Sequence, residues 1–232
     1  SLPTLSPAVA KAIATMGNLK VLLLYRLTNE TNLATALEGK SKLIDLILGS
    51  LPTLSPAVAK AIATMGSLET LDLNGLPSLS TEAAKAIAMM GDLEWLRLET
   101  MTDLSPGAAQ AIATMGNLKV LTLDGLTNEK HLATALAGKP KLERLYLDKL
   151  STLSPGAAQA IAKIRNLKFL SLNGFPTLSL DVAQAIAKMR NLEGLSLMTM
   201  TKDQVKTAFA GISWGGDITI HYNVGLLEYK AG

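Results

Sequence analysis

Leu71 and Leu73 alternate with Thr70, Asp72 and Asn74, a period of two that predicts a short strand with one face buried and the other toward water. Just upstream, in LSPAVAKAIATMG at 54–66, the period changes: Leu54, Val58, Ala61, Ile62 and Met65 recur at helical spacing. Ser55 suits the N-cap, Pro56 the first helical position and Gly66 a left-handed closing residue, which predicts a helix of about three turns.

This pair of patterns repeats. L-x-x-L-x-L begins at Leu19, Leu43, Leu68, Leu93, Leu118, Leu142, Leu167 and Leu192, in steps of 24 or 25 residues. SLPTLSPAVAKAIATMG at 1–17 returns unchanged at 50–66, and LTNETNLATALEGKSKL from Leu27 is answered by LTNEKHLATALAGKPKL from Leu126. Strand, crossover helix and strand at so short a period give a parallel sheet with every helix on one side. Strands sit about 4.8 Å apart and packed helices about 8–10 Å, so the helical layer must fan outward. Ala59, Ala84, Ala109, Ala158 and Ala183 form one column of small residues, and Ala63, Ala88, Ala113, Ala162 and Ala187 another, which lets neighbouring helices approach. The expected fold is an α/β right-handed solenoid, a horseshoe with the parallel sheet on its concave face and helices on its convex face. Interior repeats have equivalent neighbours, so similar residues solve the same packing problem in each. Folding does not demand identical ones; the perfect copy points to recent block duplication or to deliberate construction.

Residues 1–200 are expected to form an array of about eight repeats, and 201–232 a C-terminal capping repeat of the same domain. There the leucine pattern is lost, TKDQVKTAFAGI predicts a helix, and Ile218, Ile220 and Tyr222 alternate as a final strand that would shield the end of the core. No comparable pattern precedes the first helix, which is expected to expose an apolar flank or to lack a natural N-terminal segment.

The repeated L-x-x-L-x-L with its returning helix resembles the leucine-rich repeat family over 1–201, and LSPxAAxAIA is similar to leucine-rich repeats of bacterial type. The family pattern continues x-x-N-x-L. Here the Asn position holds Leu27, Leu51, Leu76, Met101, Leu126, Leu150, Phe175 and Met200, so there is no asparagine ladder. The buried backbone groups that Asn would serve need other partners, and Ser and Thr at the helix starts are candidates. The resemblance implies a non-enzymatic module that recognises a protein or peptide through the concave sheet.

Two outward columns vary while the helices barely change. One reads Val21, Asp45, Thr70, Trp95, Val120, Arg144, Phe169 and Gly194; the other Leu23, Ile47, Asp72, Arg97, Thr122, Tyr146, Ser171 and Ser196. Of the aromatics within the repeats, Tyr25, Trp95, Tyr146 and Phe169 fall on the concave side and Phe175 in the core. Strand surfaces favour aromatics in any case. Yet exposed Trp, Tyr and Arg in a concavity are the residues of binding hot spots, so Tyr25, Trp95, Arg97, Arg144, Tyr146 and Phe169 are the expected partner-binding residues. Val21, Leu23, Ile44 and Ile47 add an apolar patch at the N-terminal end, read as a second contact, a dimer surface or the scar of a lost segment. Charges on this face are mixed, seven Lys or Arg against nine Asp or Glu, which does not suit a phosphate backbone.

Composition narrows the chemistry. Hydrophobic residues are 48% of 232 and aromatics 4%, so the core is aliphatic. Cysteine is absent, which removes disulfides, thiolate metal sites and a Cys nucleophile; net charge is +3, without runs of one sign, and no apolar run is long enough to span a membrane. His131 and His221 are the only histidines; each reads better as a surface residue than as a catalytic one. Asp72 with Glu69 or Glu94 could support acid and base work, but ordinary surface charge explains them better. Gly75, Gly125 and Gly174 mark turns, no phosphate-binding glycine motif is present, and Met89, Met90, Met115 and Met189 read as core packing. No cofactor and no metal is expected. A structural or engineered repeat scaffold without a dedicated ligand is the alternative reading, favoured by the perfect copy.

Overall fold

A computed structural model describes residues 4–231; the first three positions of the copied segment and the last residue of the chain lie outside them. Each coil runs helix, turn, strand: α1 (Pro7–Ala14), β1 (Val21–Leu24), α2 (Leu33–Leu37), β2 (Asp45–Leu48), α3 (Pro56–Ala63), β3 (Thr70–Asp72), α4 (Thr81–Ala88), β4 (Trp95–Arg97), α5 (Pro106–Thr114), β5 (Val120–Thr122), α6 (Leu132–Leu136), β6 (Arg144–Tyr146), α7 (Pro155–Ala162), β7 (Phe169–Ser171), α8 (Leu180–Ala187) and β8 (Gly194–Leu197). The strands join one sheet in chain order and are parallel through β9 (Ile218–Tyr222). Helices stack on their chain neighbours along the other side.

The leucines set this arrangement. Leu46, Leu71, Leu96, Leu121, Leu145, Leu170 and Leu195 are paired strand to strand and buried, and Leu48, Leu73, Leu98, Leu123, Leu147, Leu172 and Leu197, two residues further on, are buried as well. Each such side chain contributes about 1.5–3 kcal/mol on burial. The first Ala column is buried at the helix contacts. Ser55, Ser80, Ser105, Ser154 and Ser179 cap their own helices, each hydroxyl accepting from the backbone N–H three residues on.

Several expectations need correction. The helices span eight or nine residues, little more than two turns rather than three, and Gly66 does not take a left-handed conformation. The chain already reverses at Thr64 through bonds from its backbone N–H, so no positive φ is needed there. Met89 is 82% exposed, because Met90 takes the buried place at the end of α4. Ser and Thr at the helix starts do not serve the turn that leaves the strand. That turn closes on itself, Leu76 N–H donating to Leu73 O at 3.2 Å and Phe175 N–H to Leu172 O at 3.2 Å. Thr100 Oγ1, inside the turn, accepts from Gly75 N–H at 2.9 Å, and Thr199 Oγ1 donates to Phe175 O at 2.7 Å.

Two coils differ from the rest. α2 and α6 have five residues each, start from left-handed Asn32 (φ 62°) and His131 (φ 67°), and are followed by left-handed Gly39 and Gly138. Glu30 and Glu129 of their loops accept from the backbone N–H of Ser55 and Ser154 at 2.7 and 2.5 Å. Where other coils bury Met65, Met115 or Ile164, these bury Lys40 and Lys139.

Past the last coil, Thr201 and Gln204 form a capping box on α9 (Lys202–Ala208). β9 pairs parallel with β8, and β10 (Gly225–Tyr229) turns back antiparallel onto β9, a strand that the alternation at 218–222 did not announce. Phe209, Trp214 and Tyr229 cluster there, Phe209 and Trp214 with centroids 4.7 Å apart.

Candidate functional site

The outward columns align as the spacing predicts: Trp95, Val120 and Arg144 are partners across β4, β5 and β6, as are Arg97, Thr122 and Tyr146. Their side chains differ in height. Val120 and Thr122 are short and buried, whereas Trp95 is 46% exposed and Arg97, Arg144 and Tyr146 rise on either side. The result is a groove of about 650 Å³ running along β5. Its walls stand two strand spacings apart, about 10 Å, wide enough for one extended chain or one large side chain. Asp72, Ser171 and Ser196 are also buried despite facing outward, because taller neighbours one strand away cover them.

Packing outside the groove fixes its walls. The rings of Tyr146 and Phe169 lie 5.5 Å apart and tilted, and the Arg144 guanidinium sits 6.0 Å from the Phe169 centroid. Gly194 on β8 leaves room for this: a Cβ there would stand 2.9 Å from the Phe169 ring. Phe169 therefore supports the wall from behind and does not line the groove. Of the six residues expected from the sequence, Trp95, Arg97, Arg144, Tyr146 and Phe169 come together. Tyr25 does not; it stands 60% exposed just past β1, against Gly49.

One end of the groove is acidic. Glu99, Asp124 and Asp148 line it. Arg97 pairs with Glu99 and, at 3.4 Å, with Asp72. Burial pushes the Asp72 carboxyl up, opposed by the Asn74 N–H and by Arg97. Burial also raises Asp124, to about 6, with Asp148 and Glu99 adding repulsion and the Asp148 N–H opposing it. Glu99, Asp124 and Asp148 belong to a column one residue past the third leucine, Asn74, Glu99, Asp124, Asp148 and Asn173, which ties coil to coil. Asn74 Nδ2 donates to Glu99 at 2.9 Å, Asp124 accepts from Asp148 N–H at 3.1 Å, Asp148 from Asn173 N–H at 3.2 Å, and Asn173 Oδ1 from Met198 N–H at 2.9 Å. A polar ladder is thus present, displaced toward the strand from the family's Asn position.

Sequence reading passed over Val120 and Thr122 because they are small and unremarkable alone. The signal was available in the columns, where Val separates Trp from Arg and Thr separates Arg from Tyr. His221 lies exposed on β9 opposite Ser196, and His131 is half-buried before α6; neither lines the groove. No helix among the described residues is long and apolar enough to cross a membrane.

Leucine columns, sequential parallel strands and returning helices define a leucine-rich-repeat fold, an α/β solenoid with an open sheet. Solved structures agree. A leucine-rich-repeat protein of Leptospira interrogans superposes with a TM-score of 0.53 at 17% identity, over 88% of this chain and 62% of that one, so the chain spans less than two thirds of its length. Internalin C2 of Listeria monocytogenes gives 0.58 at 20% identity over 92% of each chain. No protein-family model and no curated protein matches the sequence.

Proposed function

We propose that the protein is a non-enzymatic recognition module that holds an extended segment of a protein or peptide in the groove over β5. The observation that carries this reading is the low, buried floor of Val120 and Thr122 between taller walls, exposed Trp95 with half-buried Arg97 on one side and exposed Arg144 with half-buried Tyr146 on the other. Trp95 and Tyr146 offer large area with few rotors to freeze, and Tyr146 is already held by Phe169. At the acidic end Asp124 and Asp148 favour a Lys or Arg side chain of the partner. Arg97 is committed to Asp72 and Glu99, which leaves the Asp124 carboxylate short of a cation.

Selection of peptides from a random displayed library against the immobilised protein tests this. Enriched peptides should carry a basic residue beside an apolar one, and the Trp95→Ala/Tyr146→Ala variant, with unchanged circular dichroism, should lose them about a hundredfold. Retention by that variant would sink the assignment. The perfect copy of residues 50–66 favours a second reading, a scaffold with no dedicated ligand, and a selection that never rises above background would support it.

A further inference from the structure

We propose that the helical side of the array carries a second binding surface, on the coils of α6, α7 and α8, for an acidic polypeptide segment that also presents apolar side chains. The short α6 leaves a hollow of about 960 Å³ beside α7. Ala133, Ala137 and Pro140 are exposed in it, with Ala160 and Ile164 behind them, while Lys163 and Arg165 supply its charge and, among the described residues, no carboxylate lines it. Two smaller hollows, of about 470 and 350 Å³, share Lys163, Arg165 and Lys188 with it or with each other, so the surface is continuous as far as Arg190. Among the described residues, Asp181 is the one carboxylate in their linings.

These cations are particular to the C-terminal coils. Where Lys163 and Arg165, or Lys188 and Arg190, close their helices, earlier coils have Thr64 and Gly66 or Thr114 and Gly116. Among the described residues, none of Lys141, Lys163, Arg165, Lys188 and Arg190 has a carboxylate within 4.0 Å. Like charges gathered on one surface repel one another, a cost that an anionic partner removes. The loops are already tied in place. Asn166 Nδ2 donates to Pro140 O at 2.6 Å, Asn191 Nδ2 to Arg165 O at 2.7 Å, and Gly215 N–H to Ala187 O at 2.8 Å, so little ordering is left to binding. The apolar floor decides the class of partner. A phosphodiester backbone would satisfy the cations but leave Ala133, Ala137 and Pro140 facing water; a peptide mixing Glu with Leu meets both.

Fluorescence anisotropy tests this with three labelled probes of equal charge: a Glu/Leu peptide, polyglutamate and oligothymidylate. At low salt the Glu/Leu peptide should bind at least about tenfold more tightly than the others, and high salt should weaken it. Lys163→Glu/Arg165→Glu should reduce binding by at least about tenfold, Trp95→Ala/Tyr146→Ala should leave it unchanged, and Lys163→Gln/Arg165→Gln serves if the charge reversal disturbs folding. Equal or tighter binding of polyglutamate or oligothymidylate, indifference to both Lys163/Arg165 variants, or no binding of any probe at low salt would overturn the proposal.

Discussion

The Lys139 ammonium donates to the carbonyl oxygen of Ala113 at 2.9 Å and to that of Ile112, sealing the end of α5 from the next coil while the residue remains 4% exposed. Lys40 does the same for α1, reaching Ala14 O at 2.8 Å. A cation is well placed at a helix C-terminus, but neither lysine has a carboxylate partner among the described residues, and burial pulls Lys139 down to about 8. Between about pH 8 and 10.5 the unfolded chain therefore keeps a proton that the folded chain has released. Unfolding takes up that proton, so this group makes stability rise with pH across the window. Lys139→Met, which restores the side chain other coils use, should stabilise the protein at pH 7 by roughly 1–2 kcal/mol and abolish this contribution. Urea midpoints of both proteins at pH 7, 9 and 10.5 check it; a gap that does not close as pH rises refutes it.

Asp124 carries the opposite sign. Its carboxyl, raised to about 6 chiefly by burial, holds a proton in the folded state between about pH 4 and 6 that the unfolded chain has lost. Stability from this group falls as pH rises through that window. Asp124→Asn keeps an oxygen for the Asp148 N–H and removes the charge, so it should stabilise the fold at pH 7 by about 1 kcal/mol and leave stability at pH 4 nearly unchanged. The same variant should weaken binding of basic peptides in the β5 groove. Thermal melts paired with peptide titrations distinguish the two effects.

How much of this could be read beforehand depends on what each residue answers to. The leucine spine and both outward columns were legible because burial imposes a period on the chain itself: Leu71 and Leu96 must face inward whatever lies opposite. The serine caps were legible for a similar reason, since each bond closes within three residues. The displaced ladder was not. Asp148 and Asn173 look like solvated turn residues until the next coil is laid beside them, because their bonds cross about 25 residues of chain. Buried Lys139 was hidden in the same way, its carbonyl partners lying 26 and 27 residues back. The groove falls between these cases, for its floor depends only on side-chain size read down a column that the period had already aligned.

Asn173 is the ladder's most heavily used member. Its Nδ2 donates to Asp148 Oδ2 at 3.1 Å and to Ser171 Oγ at 3.0 Å, and its Oδ1 accepts from Ser196 Oγ at 2.7 Å and Met198 N–H at 2.9 Å. Asn173→Ala leaves a backbone N–H and a buried hydroxyl without their acceptor and should cost about 2–4 kcal/mol. Asn173→Asp restores both acceptors but sets a second carboxylate against Asp148. That variant should be unstable at neutral pH and recover part of the loss on acidification, a contrast that denaturation at pH 5 and 7 resolves.

Ser50 offers a gain. It has φ 65°, at the place in its coil where Gly75 has φ 108° in the next. The left-handed region costs a residue with a Cβ about 1–2 kcal/mol. Glycine removes that steric cost but is freer in the unfolded chain, which returns part of the gain. The Ser50 N–H bond to Asn74 O, at 2.6 Å, belongs to the backbone and survives the change. Ser50→Gly should therefore raise the melting midpoint by about 2 °C. Arg26, at the equivalent place one coil earlier with φ 60°, should respond to Arg26→Gly in the same direction. Thr100 does not have a positive φ, and its hydroxyl is bonded to Gly75 N–H and Leu76 O. Thr100→Gly should therefore lower the midpoint, so if all three substitutions move it alike, left-handed strain is not its cause.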